Sequence, residues 1–364
     1  MLPHKQKIDI FLDKSIIEIK IIADCLRLYT QSEEEKQSLA SIPAYQIDSI
    51  VLVGISNNLP IALFKLAQKH SIPIHFLSEN ATYYSTLHSG FSTKTISLRH
   101  RQYAVSLNQR WKISLAKHII RTKINHQQVF CYSEKHIFGQ EIEKLGIKII
   151  NLKSISSLNG IEGVSASLYW TVFGEKILKL GWKWHGRKKN PATDPVNLLL
   201  SLGYGLLATQ CNSALSLRGF DPYLGIIHKT NSERPALVYD FMEIFRTQVV
   251  DNWILGLLQN TLFTPQDFYY LEDGSCRLIG EKSVHIFALW YKHITTKNLQ
   301  TQTQSLSHQM RIREYTKVLS TYFTFIADKH KRQKDTLPVE IESNLMILNP
   351  EILFEVQLPT KKSD

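Results

Sequence analysis

The stretch 97–128, SLRHRQYAVSLNQRWKISLAKHIIRTKINHQQ, is where the chain changes its period. Apolar side chains recur every fourth residue, at Tyr103, Leu107, Trp111, Leu115 and Ile119, which keeps one face of a helix apolar. Basic residues crowd the remaining positions: Arg99, Arg101, Arg110, Lys112, Lys117, Arg121 and Lys123. A face of that kind is either solvated or turned toward a polyanion, and the spacing alone leaves both readings open.

Upstream of this stretch the period is two. SIIEIKII alternates through Ile17, Glu18, Ile19, Lys20 and Ile21, and CLRLYT does the same. IDSIVLV and IPIHFL are short β-branched runs of strand length. NNLPIALFKLAQKH lies between them and predicts one helix, with Asn57 or Asn58 as cap and Pro60 in the first turn. Downstream, PVNLLLSLGYGLLATQCNSALSLRG, ALVYDFMEIFRTQVVDNWILGLLQ and SLSHQMRIREYTKVLSTYFTFIADKH all read as helices. CRLIG, after the turn EDGS, reads as one strand of a small hairpin. The expected class is therefore α+β: a small β-rich domain over 1–97, a larger all-α catalytic domain over 98–335, and a C-terminal extension over 336–364 with a frayed end.

With 364 residues there is ample chain for two cores. Lys and Arg total 43 against 32 Asp and Glu, a net charge of +11 that favours a polyanion such as nucleic acid. Cys25, Cys131, Cys211 and Cys276 are too scattered for a zinc motif or a disulfide framework, which fits reduced thiols in a cytoplasmic protein. The N-terminus is too charged for a signal-peptide core, and no run reaches the ~18 apolar residues of a membrane span. No glycine-rich phosphate loop, serine nucleophile elbow or Cys/His pair is present, so the chemistry has to be sought among the acids.

Those acids concentrate late in the chain. In LVYDFMEIFRTQVV, Val238, Phe241, Met242, Phe245 and Val249 share one arc at 100° per residue, and Asp240, Glu243 and Thr247 share the opposite one. Such acids are either a wet face or part of a site. The segment before them, GFDPYLGIIHK, turns at Gly219, Asp221 and Pro222 and ends its apolar run at His228. Glu162 stands in the apolar and small-residue setting LNGIEGVSASLYW, either as a helix N-terminal cap or as a site group. Were Glu162, His228, Asp240 and Glu243 to converge, carboxylates ~5 Å apart would repel by about 3 kcal/mol at an effective dielectric of ~20. A divalent cation removes that cost. Carboxylates with one imidazole suit Mg²⁺ or Mn²⁺ better than zinc. Such a cation in a basic protein suits phosphodiester chemistry without a side-chain nucleophile.

LNGIEGVSASLYW, DPVNLLLSLGYGLL, GFDPYLGIIHK and LVYDFMEIFRTQVVD, in this order, resemble the CRISPR-associated spacer-acquisition endonuclease and integrase family, the core of the adaptation module. IDSIVLVGISNNLPIALFKLAQKHSIPIHFLS and LRHRQY extend the likeness upstream, so that it runs from about residue 8 to about 320. Ser201 and Ile227 depart from residues common in that family, asparagine and phenylalanine, without removing a ligand. The resemblance implies Glu162, His228 and Glu243 as metal ligands, and Asp240 as a catalytic or supporting acid beside them. It implies an N-terminal dimerisation domain and a metal-binding helical domain. It also implies a homodimer that works with the small companion protein of the module. That assembly would insert short duplexes of foreign DNA into the CRISPR repeat by transesterification from 3′-hydroxyl ends. Arg187, Lys188 and Lys189 between the glutamate motif and the next helix, with Lys229 and Arg246 near the acids, are the expected DNA contacts. A structure-specific repair nuclease and a catalytically silent DNA-binding scaffold are the competing readings. Trp182 and Trp184 read as core rather than as base-stacking groups.

Overall fold

The computed structural model describes residues 7–13, 15–32, 35–54, 58–78, 83–88, 96–188, 191–228, 234–297, 299–300 and 305–329. The chain forms two compact units, one from residues 1–92, 191–209 and 265–291 and the other from the remaining segments. The architecture is the expected one, with β-rich chain first and mostly helical chain after it. The expected extension over 336–364, and Lys189 and Lys229, lie outside the described residues.

In the first unit, β1 (Ile8–Leu12), β5 (Ile47–Val53), β6 (Ile74–Leu77) and β7 (Tyr83–Leu87) form a sheet in that order. β1, β5 and β6 run parallel, and β7 pairs antiparallel at the edge. The inner strand β5 is buried at every position, and after buried Asp48 and Ser49 its second half, residues 50–53, is an unbroken apolar run rather than an alternation. β2 (Ile16–Ile22), β3 (Cys25–Ser32) and β4 (Glu35–Pro43) form a separate antiparallel sheet. The two-residue turn between β2 and β3 places Ala23 and Asp24 at φ 51° and 57°, the left-handed pair that such hairpins require. α1 (Ile61–His70) packs Leu63, Leu66 and Ala67 into the core with Leu12, Leu26, Ile47 and Ile74. It begins on Pro60 with no side-chain cap, so Asn58 does not cap it; Asn57 lies outside the described residues.

The second unit contains α2 (Ile96–Leu107), α3 (Gln109–Ser133), α4 (Phe138–Lys148) and α5 (Ile155–Lys179). The 97–128 stretch is not one helix. Asn108 interrupts it, and its side chain caps α3 by accepting the Trp111 N–H at 3.2 Å. The break explains why Leu107, on the expected apolar arc, is 86% exposed. α6 (Pro195–Arg218) comes next in the chain, its residues up to 209 belonging to the first unit, and the Asp194 carboxylate accepts the Asn197 N–H at 2.8 Å. The segment read as a single helix from Ala236 to Gln259 is α7 (Ala236–Met242), a π-helical turn over Arg246–Asp251, and α8 (Asn252–Gln259). The short hairpin exists, as β8 (Phe268–Tyr270) and β9 (Cys276–Leu278), and belongs to the first unit. α9 (Gly280–Thr295), a two-residue ladder of β10 (Leu299–Gln300) with β11 (Ser305–Leu306), and α10 (His308–Lys329) complete the described elements. No described helix is long and apolar enough to cross a membrane.

Candidate metal and catalytic site

α3 and α5 meet in three successive rungs. Lys123 contacts Glu162; one turn on, Ser165 Oγ donates to Gln127 Oε1 at 2.8 Å; a turn further, Phe130 meets Tyr169 edge-on, with ring centroids 5.2 Å apart. Both sequence numbers rise together, so the helices run parallel and side by side. Glu162 therefore lies inside α5, on the face that continues into buried Ser165 and Tyr169. It is not a cap; Ser154 fills that role by accepting the Ser157 N–H at 3.1 Å.

α7 supplies the second acid. Asp240 and Glu243 do share a helical face, but it is not a wet one: Asp240 is fully buried and the Glu243 side chain is 11% exposed. Lys123 Nζ stands between the two glutamates, in contact with Glu162 Oε1 and 2.6 Å from Glu243 Oε2. Arg246 Nε approaches the other oxygen of Glu243, Oε1, at 3.1 Å. Glu243 Oε2 meets the ammonium out of hydrogen-bond alignment and so keeps a buried lone pair without a hydrogen-bond donor. Burial alone pushes the Glu243 carboxyl up. Arg246, Lys123 and His228 outweigh it and hold the group down at about 2, so it is ionised at neutral pH. Burial likewise pulls the Lys123 ammonium down, and Glu243 and Glu162 more than restore it, leaving it above its ordinary value.

Asp240 organises the other half. Its Oδ2 accepts the Ile226 N–H and, at 2.9 Å, the Ile227 N–H; Oδ1 accepts the His228 N–H at 3.0 Å and lies 2.6 Å from His228 Nδ1. One buried carboxylate thus gathers the end of the GFDPYLGIIH loop and fixes its imidazole. The bond to Asp240 outweighs burial and raises the His228 pKa above its ordinary value. Gly225 allows the loop this close to α7, since a Cβ there would stand 2.7 Å from both the Ala236 Cβ and the His228 carbonyl oxygen.

The structure brings Glu162 and Glu243 onto one cationic point and ties His228 to Asp240. Among the described residues it does not draw three acid or imidazole groups into one metal-holding cluster. Lys123 takes the place between the carboxylates, and the imidazole is turned toward Asp240. The donors still fit a hard dication: two carboxylates converge, Glu243 is ionised, and the bond through Nδ1 leaves Nε2 as the ring nitrogen that a cation could use.

Arg246 is placed at this cluster, whereas Arg187 and Lys188 lie in the loop after α5, where the Arg187 guanidinium donates to the Lys188 carbonyl. Trp182 is buried, and Trp184 packs on Trp170 and Phe173 with centroids 5.8 and 5.5 Å away, so both belong to the core. Lys123 was not singled out by its sequence setting. The signal was nonetheless present: counting on by four from Ile119 lands on it, which puts a lysine on the apolar arc.

The family model described as CRISPR associated protein Cas1 matches residues 19–292. The CRISPR-associated endonuclease Cas1 3 of Thermus thermophilus is 34% identical over 233 residues, 64% of this chain and 69% of its own length. The CRISPR-associated endonuclease Cas1 1 of Thermodesulfovibrio yellowstonii is 30% identical over 276 residues, 73% and 84% of the two chains. The fold is shared with a casposase bound to integration product (TM-score 0.77, 21% identity, covering 94% of this chain and 99% of that one). It is also shared with a Cas1 protein from Thermotoga maritima (TM-score 0.74, 22% identity, 87% and 97%). A family-model match that spans residues 19–292, most of the chain, places this protein in the CRISPR-associated Cas1 family.

Proposed function

We propose that this chain is the divalent-metal-dependent endonuclease and integrase of CRISPR adaptation, joining short foreign duplexes to the repeat array through their 3′-hydroxyl ends. The observation that carries the reading is the meeting of Glu162 and Glu243 at one buried cationic point, next to an imidazole fixed by Asp240. Relatives named as Cas1 endonucleases and a casposase caught on its integration product support the same reaction class.

Glu162, Glu243 and His228 would hold Mg²⁺ or Mn²⁺, which supplies polarisation of the phosphodiester and neutralisation of charge developing on its oxygens. Asp240 keeps the imidazole aimed and its Nδ1 engaged. Arg246 holds the Oε1 side of Glu243. Arg187 and Lys188, with Lys189 and Lys229, would meet DNA phosphates. Residues 1–97 would mediate homodimerisation, 98–335 the chemistry, and 336–364 would be an extension to it. The small companion protein of the adaptation module would complete the assembly, as in a Cas6-RT-Cas1–Cas2 complex whose chain shares this fold (TM-score 0.73, 19% identity, 88% of this chain and 35% of that one).

The test is strand transfer and cleavage on a branched DNA with Mn²⁺ or Mg²⁺. Glu162→Ala and His228→Ala should each abolish turnover while leaving DNA affinity within about twofold. Either variant cutting and joining as well as wild type would remove the catalytic assignment.

A further inference from the structure

We infer that Lys123 is a resident counter-ion that holds the two carboxylates together in the metal-free protein and must leave for a dication to enter. The inference rests on the reading of Glu162 and Glu243 as metal ligands, and it goes beyond that reading by making metal binding an exchange of cations. A lysine positioned in this way sets the affinity of the site.

The geometry makes the two cations exclusive. Lys123 Nζ touches Glu162 Oε1 and lies 2.6 Å from Glu243 Oε2. A Mg²⁺ ion sits at roughly 2.1 Å from its oxygen ligands. An ion bridging the same two oxygens would therefore occupy almost the same point as the ammonium nitrogen. Glu243 is not the side chain free to move aside, because Arg246 Nε holds its opposite oxygen at 3.1 Å. Lysine is the movable partner: a compact charge on a flexible four-carbon stem, against the rigid fork of an arginine.

Electrostatics point the same way. With the ammonium in place, two carboxylates are opposed by Lys123 and Arg246, and the cluster is balanced before any metal arrives. Buried carboxylates facing each other without a cation would repel or take up protons. An ammonium left in place beside an incoming dication would repel it in turn. Lys123 thus preserves the shape of the site at the expense of its metal affinity. It acts on the ligands and not on the substrate, so it is a positioning residue.

The experiment is Mn²⁺ titration of the full-length protein without DNA, by calorimetry and by the loss of the free Mn²⁺ electron-spin resonance signal, with thermal melting in parallel. Lys123→Met should bind Mn²⁺ more tightly than wild type, by roughly tenfold. It should also melt lower without metal and gain more on metal addition. Lys123→Arg, which keeps the charge, should stay near wild type without metal. A residue that only braced the fold would weaken metal binding when removed, so affinity in Lys123→Met that is unchanged or lower overturns the inference. Glu162→Gln separates the two levels. If wild type binds no Mn²⁺, or Glu162→Gln binds it equally well, the metal-site reading itself fails. If Glu162→Gln loses binding and Lys123→Met does not gain it, only the exchange fails. Should Lys123→Met not fold, wild-type crystals grown without and with Mn²⁺ decide the matter. The ammonium between the acids in the first and displaced in the second supports the exchange; the ammonium unmoved beside bound metal overturns it.

Discussion

Asp240 holds His228 twice, accepting its backbone N–H at 3.0 Å and lying 2.6 Å from its Nδ1, while being itself fully buried. Backbone and ring are thereby fixed by one side chain that also accepts from the two preceding residues. Replacing Asp240 with Asn presents an N–H₂ group to donors that need an acceptor. The variant should lose about 3 kcal/mol of stability in denaturant melts. On the proposed metal site, the folded fraction should lose roughly 10–100-fold in Mn²⁺ affinity and strand transfer, the usual range for removing the group that orients a metal-binding histidine.

Gly225→Ala tests the same loop from the side of its backbone. The added methyl meets the Ala236 Cβ and the His228 carbonyl oxygen at 2.7 Å each, and neither is the end of a flexible side chain. The loop has to back away from α7. We expect a stability loss of about 1–3 kcal/mol. Activity should fall at unchanged helix content, measured by far-ultraviolet circular dichroism beside the cleavage assay.

Acid should unfold this protein early. Burial holds His75 and His126 down at about 3, His118 and His293 at about 4, and His308 well below its ordinary value. The folded-state pKa of each lies below the ordinary 6.5, so the unfolded chain takes up protons that the folded chain refuses. Their stabilising contribution is complete above pH 6.5 and is lost as pH falls from there toward the folded values. Each contributes at most roughly 1.4 kcal/mol of loss per pH unit in that window. Melting temperature should drop steeply between pH 7 and pH 5, and replacing His126 with a neutral isostere such as Gln should flatten the slope. A flat profile would show that these rings are charged or accessible in the folded state.

The β2–β3 turn offers a gain. Ala23 carries its Cβ at φ 51°, a conformation that costs an L-residue roughly 1–2 kcal/mol. Ala23→Asn should stabilise the protein by about 0.5–1 kcal/mol, read as a shift in the denaturant midpoint at constant slope.

The strands, the α1 helix and the acid pair were legible because each depends on local period. Ile17 to Ile21 alternate, and Asp240 and Glu243 fall one turn apart. What period could not reveal is burial. The arc of Asp240 and Glu243 looks like a solvent face in sequence, and only the packing of α3, α5 and the His228 loop encloses it. Lys123 was hidden among seven basic residues because its partner Glu162 is 39 positions away and on another helix. Asn108 was hidden for the opposite reason, since a single side-chain cap breaks a helix whose apolar spacing continues without interruption.

The π-helical turn at Arg246–Asp251 follows closely on the acids of the site. Uninterrupted counting puts Thr247 on the arc of Asp240 and Glu243, and like them it is enclosed, at 3% exposure. Through this turn the Asn252 N–H reaches back five residues to the Thr247 carbonyl, one more than an α-helix allows. Such a turn is an added residue absorbed without lengthening the flanking helices, and its structural effect is an offset in phase. The acids before it and the carboxylate of its last residue, Asp251, which receives the Tyr169 hydroxyl at 2.8 Å, can therefore face different neighbours. Shortening the chain by one residue here would remove the five-residue step and turn α8 by about 100° relative to the acids. Length in this segment is thus a rotational setting, and homologues that differ by one residue at this point should differ in which side chains of α8 look inward.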